Sequence, residues 1–116
     1  MRKPFYVNET QRIDNFRAFV ARSPDDAFAR YSLAMALRSA GRLDEAVAEF
    51  EENARRRPEY VPTYLMLGQV LEALGRAPDA VRAYEQGLQA AGRAGDGHAQ
   101  GELTAALEAL RQRGAG

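Results

Sequence analysis

The sequence contains no cysteine and only one histidine, His98. Without cysteine the chain can form no disulfide, and thiol catalysis and cysteine-ligated metal sites are excluded. Sixteen basic and sixteen acidic side chains cancel, so the formal net charge at pH 7 is zero. Because a nucleic-acid-binding protein normally carries a basic excess that displaces counterions from the phosphates, this balance argues against nucleic acid as a partner.

Long hydrophobic runs are also missing. Only three apolar residues, Phe5 to Val7, lie between the basic start of the chain and Asn8, too few for the hydrophobic region of a secretory signal. No run approaches the ~18 apolar residues that would span a bilayer. A hydrophobic content of 46% in 116 residues is ordinary for one folded domain. We therefore expect a single cytoplasmic domain with no membrane partner.

The strongest positive feature is a repeat with a period of 34 residues. Residues of the first copy return unchanged in the second: Leu33, Leu37, Gly41, Arg42, Ala46, Val47 and Glu51 recur as Leu67, Leu71, Gly75, Arg76, Ala80, Val81 and Glu85. Two further positions change conservatively, Phe50 to Tyr84 and Ala34 to Gly68. Self-similarity at a fixed period indicates stacked copies of one small structural unit.

Capping residues and helix breakers predict six helices. Asn8 and Gln11 have the spacing of a capping box and open a helix over 9–22. The sequence Ser23-Pro24-Asp25-Asp26 opens a second helix, which Gly41 ends in a left-handed conformation. Further helices are expected over 43–56 and 62–74, then from Pro78 to a break in the glycine-rich segment 91–97, and over 97–113 after Asp96. Since no segment alternates with period two, we predict an all-α fold.

On these residues the chain resembles the tetratricopeptide repeat (TPR) family over residues 24–92. Its motif is matched in the first unit by Leu33, Ala34, Leu37, Ala46, Phe50 and Pro58, and in the second by Tyr64, Leu67, Gly68, Leu71, Ala80 and Tyr84. The small residue at position 34 or 68 lets the partner helix approach, and Phe50 or Tyr84 fills the space between units. The departures from the motif are Arg30, Asn53, Gly87 and Gly92, which we expect to weaken the outer packing.

The resemblance implies one domain over residues 1–116, an antiparallel helix-pair solenoid. Its parts are an N-terminal capping half-repeat helix over 9–22, repeats over 24–57 and 58–92, and a C-terminal capping helix over 97–113. Since about three repeats are needed for a stable core, the two flanking helices complete the fold.

The resemblance also indicates where a partner binds. In this family the first helix of each unit lines the concave side. Seven residues lie on that side at helical spacing and form what we name the groove stripe: Phe28, Tyr31, Met35, Arg38, Leu65, Gln69 and Glu72. They predict an interaction module or adaptor that binds a peptide or partner helix. Chaperone-binding members use Lys and Asn here to hold a C-terminal carboxylate, and Tyr31 and Met35 replace them.

Two alternatives to a partner groove remain open at this point. The aromatic residues Phe5 and Tyr6 would fold back over the stripe and cover it. Alternatively, the stripe or the last helix would join two copies of the chain into a homo-oligomer. Neither alternative changes the expected fold.

Nothing in the sequence predicts catalysis, a cofactor or a metal. His98 lacks a second histidine or a cysteine to complete a metal site. The acidic residues 44–52 and the run Arg55-Arg56-Arg57 are interpreted as a solvated helix face and as cations opposing a helix dipole. We therefore expect a protein that is not an enzyme.

Overall fold

The computed structural model describes residues 8–115, which form six helices and no strand. Their bounds are α1 Glu9–Arg22, α2 Ala27–Ser39, α3 Leu43–Arg56, α4 Pro62–Ala73, α5 Ala77–Ala94 and α6 Gly97–Ala115. Each helix packs on the next along the chain, and α4 also contacts α6. The described part measures 49 × 32 × 21 Å, the elongated shape of a short helical solenoid. The all-α class and the six-helix solenoid are confirmed.

Side chains cap three of the helices where the sequence indicated. The Gln11 backbone N–H donates to Asn8 Oδ1 at 2.8 Å. The corresponding bonds from Ala29 to Asp26 Oδ1 and from Ala99 to Asp96 Oδ1 measure 2.9 and 3.0 Å. Each carboxylate or amide oxygen satisfies an N–H that the first turn of the helix leaves without a partner. Local sequence alone therefore fixes these three starts.

Helices α2, α4 and α5 end on glycines in the left-handed conformation. Gly41 and Gly75 have φ of 77° and 75°, and the next N–H donates back to Leu37 O and Leu71 O at 2.9 and 2.8 Å. These bonds are the six-to-one closure typical of such helix ends. Gly95 (φ 66°) ends α5 in the same way. The expected break in 91–97 thus falls late, because buried Ala90 and Ala91 hold α5 in helical contact as far as Ala94.

The apolar residues of the repeat belong to the core. Leu33, Leu37, Phe50, Leu71 and Tyr84 are buried, with exposed fractions of 2% or less. A Cβ added to Gly68 would lie 2.6 Å from Cδ1 and from Cζ of Tyr84, closer than real side chains approach. The small residue on α4 and the aromatic ring on α5 therefore fit each other, as the resemblance implied.

Three departures from the family pattern form specific contacts, where we expected looser packing. The guanidinium of Arg30 is buried, donates to Glu49 Oε1 at 2.8 Å and to the Pro24 carbonyl at 3.1 Å, and leaves its Nε unpaired. Asn53 Nδ2 donates to the Ala27 carbonyl at 3.2 Å and to Thr63 Oγ1 at 3.1 Å.

The third departure, Gly87, admits neighbouring helices on two sides. A Cβ on Gly87 would lie 2.6 Å from Tyr64 Cβ and 2.9 Å from Leu103 Cδ2. The absent side chain is what lets α4 and α6 approach α5 there. These positions therefore connect helices α2 to α6, and the expectation of weakened packing is wrong for them.

No helix within residues 8–115 is both long enough and apolar enough to cross a membrane.

Candidate functional site

Residues of α2, α4 and α6 line a common cavity, and two residues of the groove stripe, Tyr31 and Leu65, are among them. We refer to this side of the solenoid as the face of α2, α4 and α6. On this face Tyr31 is half-buried and stands edge-on to two aromatic rings, Phe50 and Tyr60, with ring centroids 6.0 and 5.8 Å away. Burial, and then the neighbouring Tyr60, raises the pKa of Tyr31, so its hydroxyl is neutral at physiological pH. Contacts with Phe50 and Tyr60 restrict the orientation of the Tyr31 ring.

A cavity of about 310 Å³ opens on this face between the three helices. Its walls are mainly apolar and come from Tyr31 on α2, from Leu65 and Met66 on α4, and from Ala99 and Leu103 on α6. We call it the central cavity. Three polar side chains form its rim on this side, Asp96 just before α6 and His98 and Glu102 on α6. The volume is at the lower limit of the range for ligand pockets and suits one or two side chains of a bound segment.

A second cavity of about 260 Å³ lies between α1 and α2. It is lined by Arg12 and Phe16 on α1 and by Tyr31, Met35 and Ser39 among others on α2. Tyr31 therefore borders both cavities. The two stripe residues at the middle of α2 thus face open space, although both also pack against the core.

Arg38 and Gln69 of the stripe contact each other. The Arg38 guanidinium donates to Gln69 Oε1 and to Met66 Sδ, both at 3.2 Å. These bonds connect the end of α2 with the middle of α4. At this end the stripe is polar, and its side chains link α2 to α4. Arg38 uses two of its five N–H donors in these bonds.

Glu72 is also engaged within the fold. Its carboxylate accepts hydrogen bonds from the Tyr84 hydroxyl and from Arg113 on α6. Burial, followed by this carboxylate, raises the pKa of Tyr84 well above its ordinary value. Glu72 on α4 therefore links α4 to α5 and to α6. Its bond with Arg113 helps to hold α6 beside α4.

Unlike Arg38 and Glu72, which bond other residues of the fold, Phe28 is highly exposed, with 66% of its surface accessible to solvent. Within the described residues Phe19, at 45%, is the only other large apolar side chain that is exposed. Phe19 lies on α1, outside the stripe, and its ring is covered in part by the Arg22 guanidinium, 5.7 Å from the ring centroid. Phe28 is thus the most exposed apolar residue of the stripe.

Sequence reasoning missed the contribution of α6 and of Met66. Residues of α6 have no counterpart in the two-copy repeat, so no spacing assigned them to this face. Met66 follows Leu65 in the sequence, and spacing did not show whether its side chain lies in the core or at the surface. The proposed covering residues Phe5 and Tyr6 lie outside the described part of the chain.

His98 is exposed on the rim, and its Nε2 is 3.6 Å from Glu102 Oε1. Within residues 8–115 no group of three or more His, Asp or Glu side chains is placed to hold a metal ion.

Comparisons with known proteins agree with this architecture. A family model described as tetratricopeptide repeat matches residues 37–96. A TPR repeat-containing protein of Pseudomonas aeruginosa is 30% identical over 98 residues, which are 84% of this chain and 93% of that protein.

Two solved structures are similar to this chain in three dimensions. A tetratricopeptide repeat domain protein from Salinibacter ruber has a TM-score of 0.71 at 36% identity, covering 74% of this chain and 97% of that one. The TPR2B domain of yeast Sti1, solved in complex with pHsp70, has a TM-score of 0.83 and covers 90% of this chain and 84% of its own, but at 17% identity this likeness concerns the fold alone. The repeat, the helix pairs and these matches show that the chain belongs to the tetratricopeptide repeat family.

Proposed function

We propose that this protein is an interaction module that binds a segment of a partner protein across the face of α2, α4 and α6. The single observation that carries the proposal is the central cavity, which is apolar inside and open to solvent. A cavity walled by Tyr31, Leu65, Met66 and Leu103 accepts an apolar side chain more readily than a polar one. The assembly of the Sti1 domain with pHsp70 is a property of that protein and supports only the general kind of function.

The chemistry of the walls indicates what the segment carries. Methionine side chains are flexible and polarizable, so Met66 and Met35 adapt to side chains of different shape. Glu102 and Asp96 on the rim give that side of the cavity acidic character. We therefore expect a partner segment with an apolar anchor next to a basic residue. Recognition of a carboxylate by Lys and Asn is not part of the proposal, since Tyr31 and Met35 stand at such positions.

The proposal assigns no reaction and no cofactor to the face. One short groove with a single anchor cavity supports affinity on the order of micromolar, near −8 kcal/mol. Such a module acts by bringing a partner into an assembly, as an adaptor does.

The test compares two double variants in co-purification from the native cell. Phe28→Ala with Glu102→Arg removes the exposed aromatic ring of the stripe and reverses the charge of one residue that lines the central cavity. Phe19→Ala with Glu108→Arg makes the same two chemical changes away from the face, at exposed positions of α1 and α6. We expect the first variant to recover at least about tenfold less partner than the second variant does. Equal recovery by both variants would contradict the assignment of the face.

The variant Tyr31→Ala with Met35→Ala is unsuitable for this test. Tyr31 packs edge-on against the rings of Phe50 and Tyr60. Its truncation would lower stability as well as binding. The exposed residues Phe28 and Glu102 avoid this ambiguity.

Self-association through the stripe or α6 remains the alternative function. Light scattering over a concentration series separates the two. The proposal predicts a monomer mass throughout, whereas a homo-oligomer would show a mass that rises to a multiple of the monomer.

A further inference from the structure

The side of the solenoid formed by α3 and α5 carries a larger cavity, of about 560 Å³. Its floor is the side of α4 that bears Tyr64, Leu67 and Leu71, spaced i, i+3 and i+7. Leu65 and Met66 on the same helix face the central cavity instead. The two cavities therefore open on different sides of α4. We name the larger one the α3–α5 groove.

The α3–α5 groove has a local excess of positive charge in a chain that is neutral overall. Four arginines line it, Arg55, Arg76, Arg82 and Arg93, against two carboxylates, Glu51 and Asp79. Arg55 pairs with Glu52, so three arginines and two carboxylates remain to set the charge of the groove. Asp79 is shared between two of the arginines, Arg76 at 2.8 Å and Arg82. One carboxylate cannot neutralise both, so each retains attraction for a further anion.

Arg93 adds a positive charge at the far end of the groove. None of the ion pairs within residues 8–115 involves its guanidinium. Since the side chain is exposed, it is free to reorient toward an incoming carboxylate, with which a guanidinium forms two parallel hydrogen bonds.

The residues that α5 contributes are spaced along its length. Asp79, Arg82, Gln86, Gln89 and Arg93 follow the pattern i, i+3, i+7, i+10 and i+14, which places them on one stripe of the helix. At 1.5 Å per residue the stripe is about 21 Å long. That distance matches about six residues of an extended chain. The groove thus has the length of a short peptide, with arginines toward both ends.

The middle of the groove suits a peptide backbone. Gln86 and Gln89 each offer an amide that both donates and accepts hydrogen bonds. Leu67 and Leu71 on the floor are almost fully buried, with exposed fractions of 4% and 1%, so the floor offers little apolar surface to a ligand. Recognition here depends on charge and hydrogen bonds, unlike recognition at the central cavity.

We infer that the α3–α5 groove binds an extended acidic segment of a partner protein, about six residues long, whose carboxylates pair with Arg82 and Arg93. A protein segment fits better than a nucleic acid because the amides of Gln86 and Gln89 can both donate hydrogen bonds to a peptide backbone and accept them from it. The run 55–57 is engaged within the fold. Arg55, which lines the groove, and Arg56 pair with Glu52, and Arg57 pairs with Glu59 at 2.7 Å.

The test measures fluorescence anisotropy of a labelled hexaglutamate peptide with the full-length protein at low salt. Wild-type protein is expected to bind it, and added salt to weaken the binding by screening. The double variant Arg82→Glu/Arg93→Glu is expected to weaken binding at least about tenfold. Arg12→Glu/Arg22→Glu changes the net charge equally at exposed positions of α1 and is expected to bind within about twofold of wild type.

Three results would overturn the inference: no binding of hexaglutamate by the wild type, equal weakening by both double variants, or tighter binding of an oligothymidylate that depends on Arg82 and Arg93. Circular dichroism checks folding, and Arg82→Gln/Arg93→Gln replaces the charge-reversed variant if that one does not fold. The Phe28→Ala/Glu102→Arg variant is expected to retain hexaglutamate binding, so the α3–α5 groove is tested separately from the central cavity.

Discussion

The ring of Tyr84 on α5 occupies the space that any side chain at Gly68 on α4 would need, with ring atoms 2.6 Å from the position of a Cβ. Tyr84 is fully buried and fixed by a hydrogen bond from its hydroxyl to Glu72, so the ring cannot move aside at low cost. The close approach of α4 and α5 depends on this pair.

Gly68→Ala should therefore lower the free energy of unfolding by about 1–3 kcal/mol, since an extra methyl in a packed core forces neighbours out of place. Gly101→Ala on α6 is the matched control, because a Cβ there meets nothing within 4 Å. Alanine in place of an open helical glycine should raise stability by about 0.5–1 kcal/mol. Urea unfolding measures both changes. Shifts of the same sign and size would refute the role of the Gly68–Tyr84 contact.

Asn53 should behave as part of a buried hydrogen-bonded group. Its amide, with 1% of the residue exposed, bonds Thr63 and the Ala27 carbonyl, so Asn53→Leu leaves polar groups without partners. We expect a loss of about 1–3 kcal/mol for this variant. Adding Thr63→Val should cost less than the sum of the two single changes. A double-mutant cycle with a coupling energy of about 0.5–3 kcal/mol would agree, and strict additivity would not.

Stability should fall at alkaline pH, and Tyr84 should contribute to the fall. Its folded-state pKa is raised by burial and then by Glu72, so above its ordinary value of 10.0 the unfolded chain loses this proton while the folded chain keeps it. Each such group lowers the unfolding free energy by about 1.4 kcal/mol per pH unit in that window. The sequence has a single lysine, Lys3, so tyrosines dominate this titration.

The measurement is the urea midpoint as a function of pH for wild type and Tyr84→Phe. The variant should show a shallower decline above pH 10, because one group that binds more protons in the folded state is gone. Parallel curves for the two proteins would contradict the assigned pKa direction.

At acid pH, Glu52 should contribute in the opposite sense. Hydrogen bonds from Arg55, and then from Arg56, lower its pKa from 4.5 to about 2. Its contribution to stability is present above pH 4.5 and is lost as the pH falls from 4.5 toward about 2. Glu52→Gln should flatten the acid dependence of the unfolding midpoint at low salt. Arg55→Gln/Arg56→Gln should flatten it in the same way, because the hydrogen bonds that lower the pKa of Glu52 are then absent. An unchanged acid dependence in that variant would count against the Arg55 and Arg56 contacts.

Much of the fold is predictable because its signals are local. Asn8, Asp26 and Asp96 cap helices by reaching three residues along the chain, and Gly41 and Gly75 end helices with left-handed backbones. The end of α5 was not predictable to the residue, since glycines also stand at 92 and 97. The choice among them depends on packing of Ala90 and Ala91, which is a tertiary effect.

The candidate site was less predictable for a related reason. Spacing identified Tyr31 and Leu65, but it could not show that Arg38 bonds Gln69 or that Glu72 holds Arg113, a residue 41 positions away. Spacing also could not show that residues of α6 contribute to this face. Contacts between residues far apart in sequence have no periodic signature, so only the three-dimensional arrangement reveals them.

The central claim is that a partner occupies the face of α2, α4 and α6. Its most direct test is photo-crosslinking in the native cell with benzoylphenylalanine placed at Phe28 or, as a matched aromatic control, at Phe19. The account predicts a discrete adduct with a partner protein from position 28 and none from position 19. Adducts of the same identity and yield from both positions, or an adduct from position 19 alone, would contradict it.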